Sequence, residues 1–284
     1  MKKGCPLYLI KILSSFLKDR SAILEYMDIK ISTFLSVGCP QGSVLSPLLW
    51  NLLIDSFLHS EFSFFLKIIA YADDLVLVTS AVSLDLAARN LQSMCDSAAV
   101  LGQEAKLAFN GAKTVLMIFC IKRKPGAVHI TVDGTCISPS EHRTYLGCTI
   151  DCRLTWKQHI QLKCVAARKA FFSICHCFRR TWGLSRSKLK LFYKAVFLPI
   201  LLYNCSVWEK ASLNKSCSAL LKSVQRPFLL SISKCIKSSA SSAAAVLSNV
   251  LPVDLKIAEI VLKRSFVPNI KPLIPVSTIA AFDV

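Results

Sequence analysis

The stretch Phe64–Ser80 constrains the fold more than any other part of this chain. Phe64–Tyr71 and Leu75–Thr79 are largely apolar, rich in β-branched and aromatic residues, and they flank Ala72-Asp73-Asp74. Short runs of that composition around a break read as a β-hairpin with the two aspartates at its turn. The runs are apolar on both faces, the pattern of strands covered on both sides. A buried carboxylate left uncompensated is costly, whereas an Asp-Asp pair at an exposed tip is cheap and common. Here the tip has no Gly or Asn to ease a tight turn. Asp-Asp also concentrates hard oxygen donors at one point, which suits Mg²⁺. One pair is not a complete two-metal centre, whose ions lie about 3.5–4 Å apart and need a further carboxylate.

The residues around the hairpin alternate between helix and strand patterns. Leu9, Ile10, Ile12, Leu13, Phe16 and Leu17 fall at helical spacing, which predicts a helix over 7–18. Gly38-Cys39-Pro40-Gln41-Gly42 reads as a loop, and Ser46-Pro47 as the start of a helix over 47–59. Ser83 opens another helix that ends near Gly102. Strands are predicted at 114–119, 128–132 and 135–137, the last two joined by Asp133-Gly134, and again at 145–150. Beyond that point the strand pattern stops. Thr155–Phe178, Ser187–Trp208, Leu213–Ser231, Ser241–Ser248 and Val253–Phe266 read as helices, with Pro199 and Pro227 expected to kink or break two of them. The fold class is therefore α+β. An α+β region over 1–150 precedes a helical region over 151–267 and a Pro-interrupted tail over 268–284, expected to be poorly ordered.

Charge divides the chain at the same place. Residues 1–151 carry 14 basic and 13 acidic side chains, and residues 152–284 carry 21 and 4, a net +17. A basic helical half points to a polyanion, with an anionic membrane surface as the competing partner. With 53% hydrophobic and 18% charged residues the chain is not intrinsically disordered. Its apolar stretches are too short or too interrupted to span a bilayer, and Lys11 breaks the N-terminal run that imitates a signal peptide. An intracellular chain, nuclear or cytoplasmic, is expected. The 13 cysteines form no zinc-like spacing and read as reduced, mostly buried thiols with no disulfide-linked partner.

Tyr71-Ala72-Asp73-Asp74, following Pro40-Gln41-Gly42 and one intervening helix, resembles the palm of reverse transcriptases. The longer run Gly38–Asn51 resembles the motif before the catalytic hairpin in non-LTR (LINE-type) retrotransposon polymerases. Lys113-Thr114 resembles the lysine motif after the palm helix. Tyr145-Leu146-Gly147, with Leu154-Thr155-Trp156 and His159-Ile160, resembles the primer grip and the start of the thumb. Gln225-Arg226-Pro227 and Leu251–Leu255 resemble the helical segment downstream. The resemblance covers about residues 7–262.

The resemblance implies an RNA-directed DNA polymerase that uses an RNA template, a DNA primer and deoxynucleotides. Asp73 would bind the catalytic metals, two Mg²⁺ or alternatively Mn²⁺, with support from Asp74. Pro40, Gln41 and Gly42 would line the pocket for the templating base and incoming nucleotide. Lys113 would protonate the leaving pyrophosphate, an ordinary surface lysine being the alternative. Tyr145, Leu146 and Gly147 would hold the primer end. The family's first catalytic aspartate, within Ala-Phe-Asp, has no counterpart before Gly38; neither Asp19 nor Asp28 has its context. The chain is thus expected to be an N-terminally truncated copy, inactive alone, with an open edge on the sheet beside the hairpin. The alternative is a catalytically dead remnant that only binds nucleic acid through its basic helical half.

Overall fold

The structure, a computed structural model, describes residues 4–59, 66–119, 128–178, 184–265 and 280–282. Internal contacts divide the chain into two compact units. One holds Met1–Leu116, Gly126–Pro139 and Ile279–Val284; the other holds Met117–Pro125 and Ser140–Thr278. The fold is α+β, with small antiparallel sheets in both units and most helices in the second.

The first unit opens with α1 (Leu7–Leu17) and a hairpin of β1 (Arg20–Tyr26) and β2 (Ile29–Leu35). The sequence reading missed this hairpin. Its two-residue loop, Met27-Asp28, has neither Gly nor Asn, and Met27 takes a left-handed φ of 52°. Glu25 and Lys30 face each other across the strands and form an ion pair. Helix α2 spans Ser46–Leu58, with Pro47 in its first turn. The aspartate hairpin follows as β3 (Leu66–Tyr71) and β4 (Asp74–Thr79), in register from Leu66↔Thr79 to Tyr71↔Asp74. The expected first residues, Phe64 and Phe65, lie outside the described residues. Leu75, Val76, Leu77, Val78 and Thr79 are all buried, so β4 is covered on both faces. The open edge expected beside it is taken by a C-terminal strand, Ala280–Phe282, which pairs antiparallel with Leu75–Leu77. The remainder of the tail segment, 268–279 and 283–284, lies outside the described residues.

Helix α3 (Leu84–Ala105) lies on this sheet. The Ser83 hydroxyl accepts from the Leu86 N–H and caps the helix, and Leu91, Met94, Cys95, Ala98 and Gly102 form its buried face. Lys106 ends it in the left-handed conformation while Leu107 N–H bonds Gly102 O. Asp133-Gly134 turns β5 (Ile130–Val132) into β6 (Thr135–Ile137), with φ of 48° and 71°. Gln92 bonds both the N–H and the C=O of Thr131 and ties α3 to β5. The strand expected at 114–119 is not formed. Within that segment Val115 and Leu116 make isolated bridges, Leu116 in parallel with Pro139, which has no N–H with which to extend a ladder.

The second unit begins with a hairpin where one strand was expected over 145–150. Leu146 and Gly147 adopt φ of 45° and 74° and fold the segment into β7 (His142–Tyr145) and β8 (Cys148–Asp151). Helix α4 (Lys157–Phe178) buries Ile160, Cys164, Ala167 and Phe171 along one face. The helix expected over 187–208 is segmented. It runs as α5 (Arg186–Phe192), a π-helical turn (Tyr193–Phe197) and α6 (Leu198–Leu201), then bends by 82° into α7 (Cys205–Ser212). Pro199 cannot donate to the carbonyl four residues back, and the turn before it widens to π. In α8 (Lys215–Ser233) the helix continues through Pro227, which does not break it. Helices α9 (Ser241–Ser248) and α10 (Val253–Ser265) complete the unit; Phe266, the expected last residue of α10, lies outside the described residues.

Phe228 centres this core, with its ring 4.2 Å from Phe171, 4.5 Å from Phe197 and 5.6 Å from Tyr193. Beside it Gln225 is 2% exposed yet fully bonded. Its amide N–H groups donate to Tyr193 Oη and Leu251 O, both at 2.8 Å, and its Oε1 accepts from Val253 N–H at 3.0 Å. One side chain thereby joins α8, the π turn and the start of α10. Among the described residues no single helix is long and apolar enough to cross a membrane. The bent pair Arg186–Leu201 and Cys205–Ser212 passes that test only jointly, and its apolar face is core: Leu189, Phe197, Leu201 and Trp208 are buried. Among the described cysteines none is bridged, and Cys95, Cys148, Cys164, Cys205 and Cys217 are buried.

Gln225→Leu keeps volume but strips the partners from the buried Val253 N–H and from the Leu251 carbonyl. It is expected to destabilise the second unit by about 2–4 kcal/mol, at about 1–3 kcal/mol per unsatisfied group. Urea unfolding of the full chain followed by near-ultraviolet dichroism reads this directly; an unchanged midpoint would show that Gln225 is not a structural junction.

Candidate polymerase site

The first turns of α2 hold two loops at once. Gly38 and Gly42 bound the Pro-Gln-Gly loop at φ of 80° and 82°, backbone that favours glycine. Ser46 Oγ donates to Pro40 O at 2.6 Å, and Ser43 N–H bonds the same carbonyl at 3.3 Å. On the other side the Arg20 guanidinium donates to Gly38 O at 2.8 Å and to Val37 O at 3.3 Å. Pro40 is half-buried by these contacts, and Gln41 and Gly42 face solvent.

Trp50 stands one turn further along α2, about 6 Å from Ser46 along the axis. Its indole N–H donates to Ala72 O at 2.5 Å. Ala72 is the left-handed residue of the aspartate hairpin, with φ of 53°. The turn proper is therefore Ala72-Asp73, and Asp74 is the first residue of β4, not part of the tip as expected. A left-handed alanine costs about 1–2 kcal/mol, and the Trp50 bond holds it there. Asp73 is exposed at the tip, and Asp74 is half-buried and engaged in the fold. The structure thus anchors the Pro40–Gly42 loop and Asp73-Asp74 to neighbouring turns of one helix. Trp50 was not singled out in the sequence; the available signal was its spacing of four from Ser46.

Lys113 is exposed on a turn closed by Asn110, whose backbone and side-chain oxygens both accept from the Lys113 N–H. It follows α3 in the first unit. Tyr145, Leu146 and Gly147 belong to the second unit, at the tip of the β7–β8 hairpin. Leu146 and Gly147 are exposed and Tyr145 is half-buried.

Two hard oxygen donors, Asp73 and Asp74, are adjacent, but among the described residues no group of three His, Cys, Asp or Glu side chains comes together to hold a metal. Mg²⁺ takes near-octahedral oxygen coordination. The described residues fit such an ion incompletely, and no chemical step is assigned to it.

The β7–β8 hairpin is fastened to α4 by two side chains. Asp151 accepts four hydrogen bonds: from Arg153 N–H, Thr155 N–H, the Thr155 hydroxyl and Trp156 N–H, at 2.8–3.2 Å. His159 is completely buried, edge-on to Trp156, and its Nδ1 accepts from Thr149 N–H at 3.1 Å. That bond requires a neutral ring with the proton on Nε2. Nε2 makes no well-formed hydrogen bond; the Tyr203 carbonyl approaches without satisfying it. Burial first, and the Lys163 ammonium second, hold the His159 pKa below its usual 6.5. The sequence marked His159 only as part of a motif; its burial and its bond to Thr149 come from packing.

These features agree with the relatives of the chain. The family profile described as "Reverse transcriptase (RNA-dependent DNA polymerase)" matches residues 5–150. The chain belongs to that family. More particularly, it is homologous to the RNA-directed DNA polymerases of non-LTR retrotransposons. It is 24% identical over 243 residues to the "Putative 115 kDa protein in type-1 retrotransposable element R1DM" of Drosophila melanogaster, covering 85% of this chain and 23% of that protein. A "Retrovirus-related Pol polyprotein from type-1 retrotransposable element R1" of Nasonia vitripennis is 25% identical over 228 residues, 77% of this chain and 66% of its own length. The "RNA-directed DNA polymerase from mobile element jockey" of Drosophila melanogaster is 28% identical over 229 residues, 75% of this chain and 24% of its own. The chain thus spans between 23% and 66% of the length of these relatives. No solved structure matches it.

The His159 geometry sets a pH dependence. Above about pH 7 the ring is neutral folded and unfolded, and contributes no slope. Below its usual 6.5 the unfolded chain takes the proton first, so stability falls as pH drops toward 5. His159→Gln retains an acceptor but cannot titrate. Urea midpoints at pH 7.5 and 5.5 should differ less in that variant than in the unaltered chain; equal differences would exclude His159 as the source.

Proposed function

We propose that this chain carries the palm residues and a thumb-like region of an RNA-directed DNA polymerase, and that its site extends a DNA primer on an RNA template. The observation that carries the reading is the Ala72-Asp73 turn, with Asp74 next to it in the strand, clamped by Trp50 on the same helix end that binds the Pro40–Gly42 loop. In the reaction a primer 3′-hydroxyl attacks the α-phosphorus of a deoxynucleotide and pyrophosphate leaves. Positioning and charge neutralisation supply most of the rate of such transfers.

Each residue has a part in this reading. Asp73, exposed at the tip, is the acid that would hold the divalent ions of the family, Mg²⁺ or Mn²⁺, and Asp74 steadies it from the strand. When bound, such ions supply charge neutralisation at the transferred phosphate. Pro40, Gln41 and Gly42 border the templating base and incoming nucleotide; Gly42 has no neighbour within 4 Å of where a Cβ would stand, so the loop is open to a ligand. Lys113 is the candidate proton donor to pyrophosphate. Tyr145, Leu146 and Gly147 support the primer end. Residues 152–284, net +17, bind the template–primer through its phosphates. Such a protein works inside the cell, in nucleus or cytoplasm.

A second reading is favoured by the acid count. With no third carboxylate beside Asp73 and Asp74 among the described residues, the chain binds nucleic acid without turnover. The two readings share binding and differ in chemistry. Residues 1–284 alone are expected to show no primer extension. Joining a homologous palm segment bearing Ala-Phe-Asp ahead of them should restore it, and Asp73→Ala should abolish what is restored. Extension that survives Asp73→Ala would remove Asp73 from the site.

Binding is expected to weaken steeply with salt. The log–log slope should be about 0.7 per neutralised phosphate on single-stranded nucleic acid. Fluorescence anisotropy with RNA between low and physiological salt measures the slope. Salt-insensitive binding, or none at low salt, would sink the phosphate-anchoring role.

A further inference from the structure

The tip of the β7–β8 hairpin is held by residues beyond the segment that the family profile matches. Tyr203 Oη donates to Leu146 O at 2.9 Å. The ring of Tyr203 also lies against Gly147: a Cβ there would stand 3.1 Å from Tyr203 Cε1. The next residue, Asn204, donates from Nδ2 to Cys148 Sγ at 3.3 Å. Two consecutive side chains therefore grip the turn and the first residue after it. They can do so because they sit in the 82° bend between α6 and α7, where Asn204 is left-handed at φ of 50°. In an unbroken helix, neighbouring residues point about 100° apart and could not face one short turn together.

The grip is itself supported. Trp208, fully buried, donates its indole N–H to Tyr203 O at 2.9 Å. Lys163 on α4 places its ammonium 4.5 Å from the centroid of the Tyr203 ring, a cation–π contact beside the turn. Yet Tyr203, Leu146 and Gly147 are exposed, so the tip is braced from behind and open in front. A stabilised but solvent-facing turn of left-handed backbone is what strained functional positions look like.

We propose that Tyr203 and Asn204 are positioning residues that set the Leu146–Gly147 turn as a rigid ledge for the primer 3′ terminus. This rests on the reading of Tyr145–Gly147 as the primer-end contact. The family match ends at residue 150, before either residue.

The test uses the full chain and a primer–template with a recessed 3′ end carrying 4-thiothymidine at the last primer nucleotide. Irradiation followed by peptide mapping locates the crosslink, and anisotropy gives total affinity. The unaltered chain should crosslink within the peptide holding Tyr145–Gly147. Tyr203→Phe removes one hydroxyl and should cut that crosslink about fivefold, the effect of losing about one hydrogen bond. Total affinity should stay within about twofold, because phosphate contacts are spread over many basic residues. A merely structural role would move both readouts together. Asn204→Gly, which tolerates the left-handed backbone, is the second variant and guards against a folding failure of the first; it should also lower the crosslink and spare affinity. Crosslinking at the unaltered level in both variants overturns the positioning role and leaves the primer-grip reading standing. No hairpin crosslink in the unaltered chain overturns the primer-grip reading and the positioning role with it.

Discussion

The second unit depends on the carboxylate of Asp151. Four donors converge on it within five residues, and between them the backbone passes through left-handed conformations at Leu154 and Trp156, with φ of 52° and 58°. Each such non-glycine residue costs about 1–2 kcal/mol. The charge-assisted bonds of Asp151 offset that cost and turn the chain from β8 straight into α4. Three residues into α4, His159 reaches back to Thr149. Ile160 follows and starts the buried face that meets Phe228 and Trp208. The angle at which α4 leaves the hairpin thus decides which of its residues are core.

Two solvent-facing turns, one in each unit, share one physical device. At each tip a non-glycine residue is left-handed: Ala72 in the aspartate hairpin, Leu146 in the second unit. In each case its carbonyl accepts a hydrogen bond from an aromatic side chain far away in sequence, Trp50 for Ala72 and Tyr203 for Leu146. A glycine would relieve the backbone strain but leave the tip floppy in the unfolded and folded chain alike. An aromatic donor fixes the tip and leaves its outer side open. For chemistry that rests on positioning rather than on a reactive side chain, stiffness at the contact point is the useful property.

Charge and packing are separated in the second unit. Two of its acids are engaged by lysines: Asp254 pairs with Lys222, and Glu259 with Lys256 and Lys263. Those lysines hold the Glu259 pKa down to about 2. The larger number of basic residues is left to face solvent along the helices, Lys157, Arg168 and Lys169 on α4 among them. The interior takes no share in this. Its polar members, Gln225 and His159, are neutral and bonded to backbone, which spares the core the cost of a buried ion.

Local sequence was enough for the elements whose signal is periodic or capped. The helices at 7–17, 46–58 and 241–248 and the Asp133-Gly134 hairpin follow from residues within one or two turns of each other. The aspartate hairpin and the Pro-Gln-Gly loop were legible for the same reason, and with them the family. Tertiary structure alone decided the rest. Met27-Asp28 and Leu146-Gly147 make turns whose first residue is an unlikely left-handed one, and at Leu146 a bond from Tyr203, far away in sequence, holds it. Segment 114–119 has the composition of a strand, but its bridge at Leu116 falls on Pro139, which cannot extend a ladder. Pro227 sits in a helix that runs on because the packing of Val224, Phe228 and Ile232 outweighs one missing hydrogen bond. Trp50 and Tyr203 carry no local mark of their task, since a hydrogen bond to a carbonyl 22 or 57 residues away exists only once the chain has brought the two together.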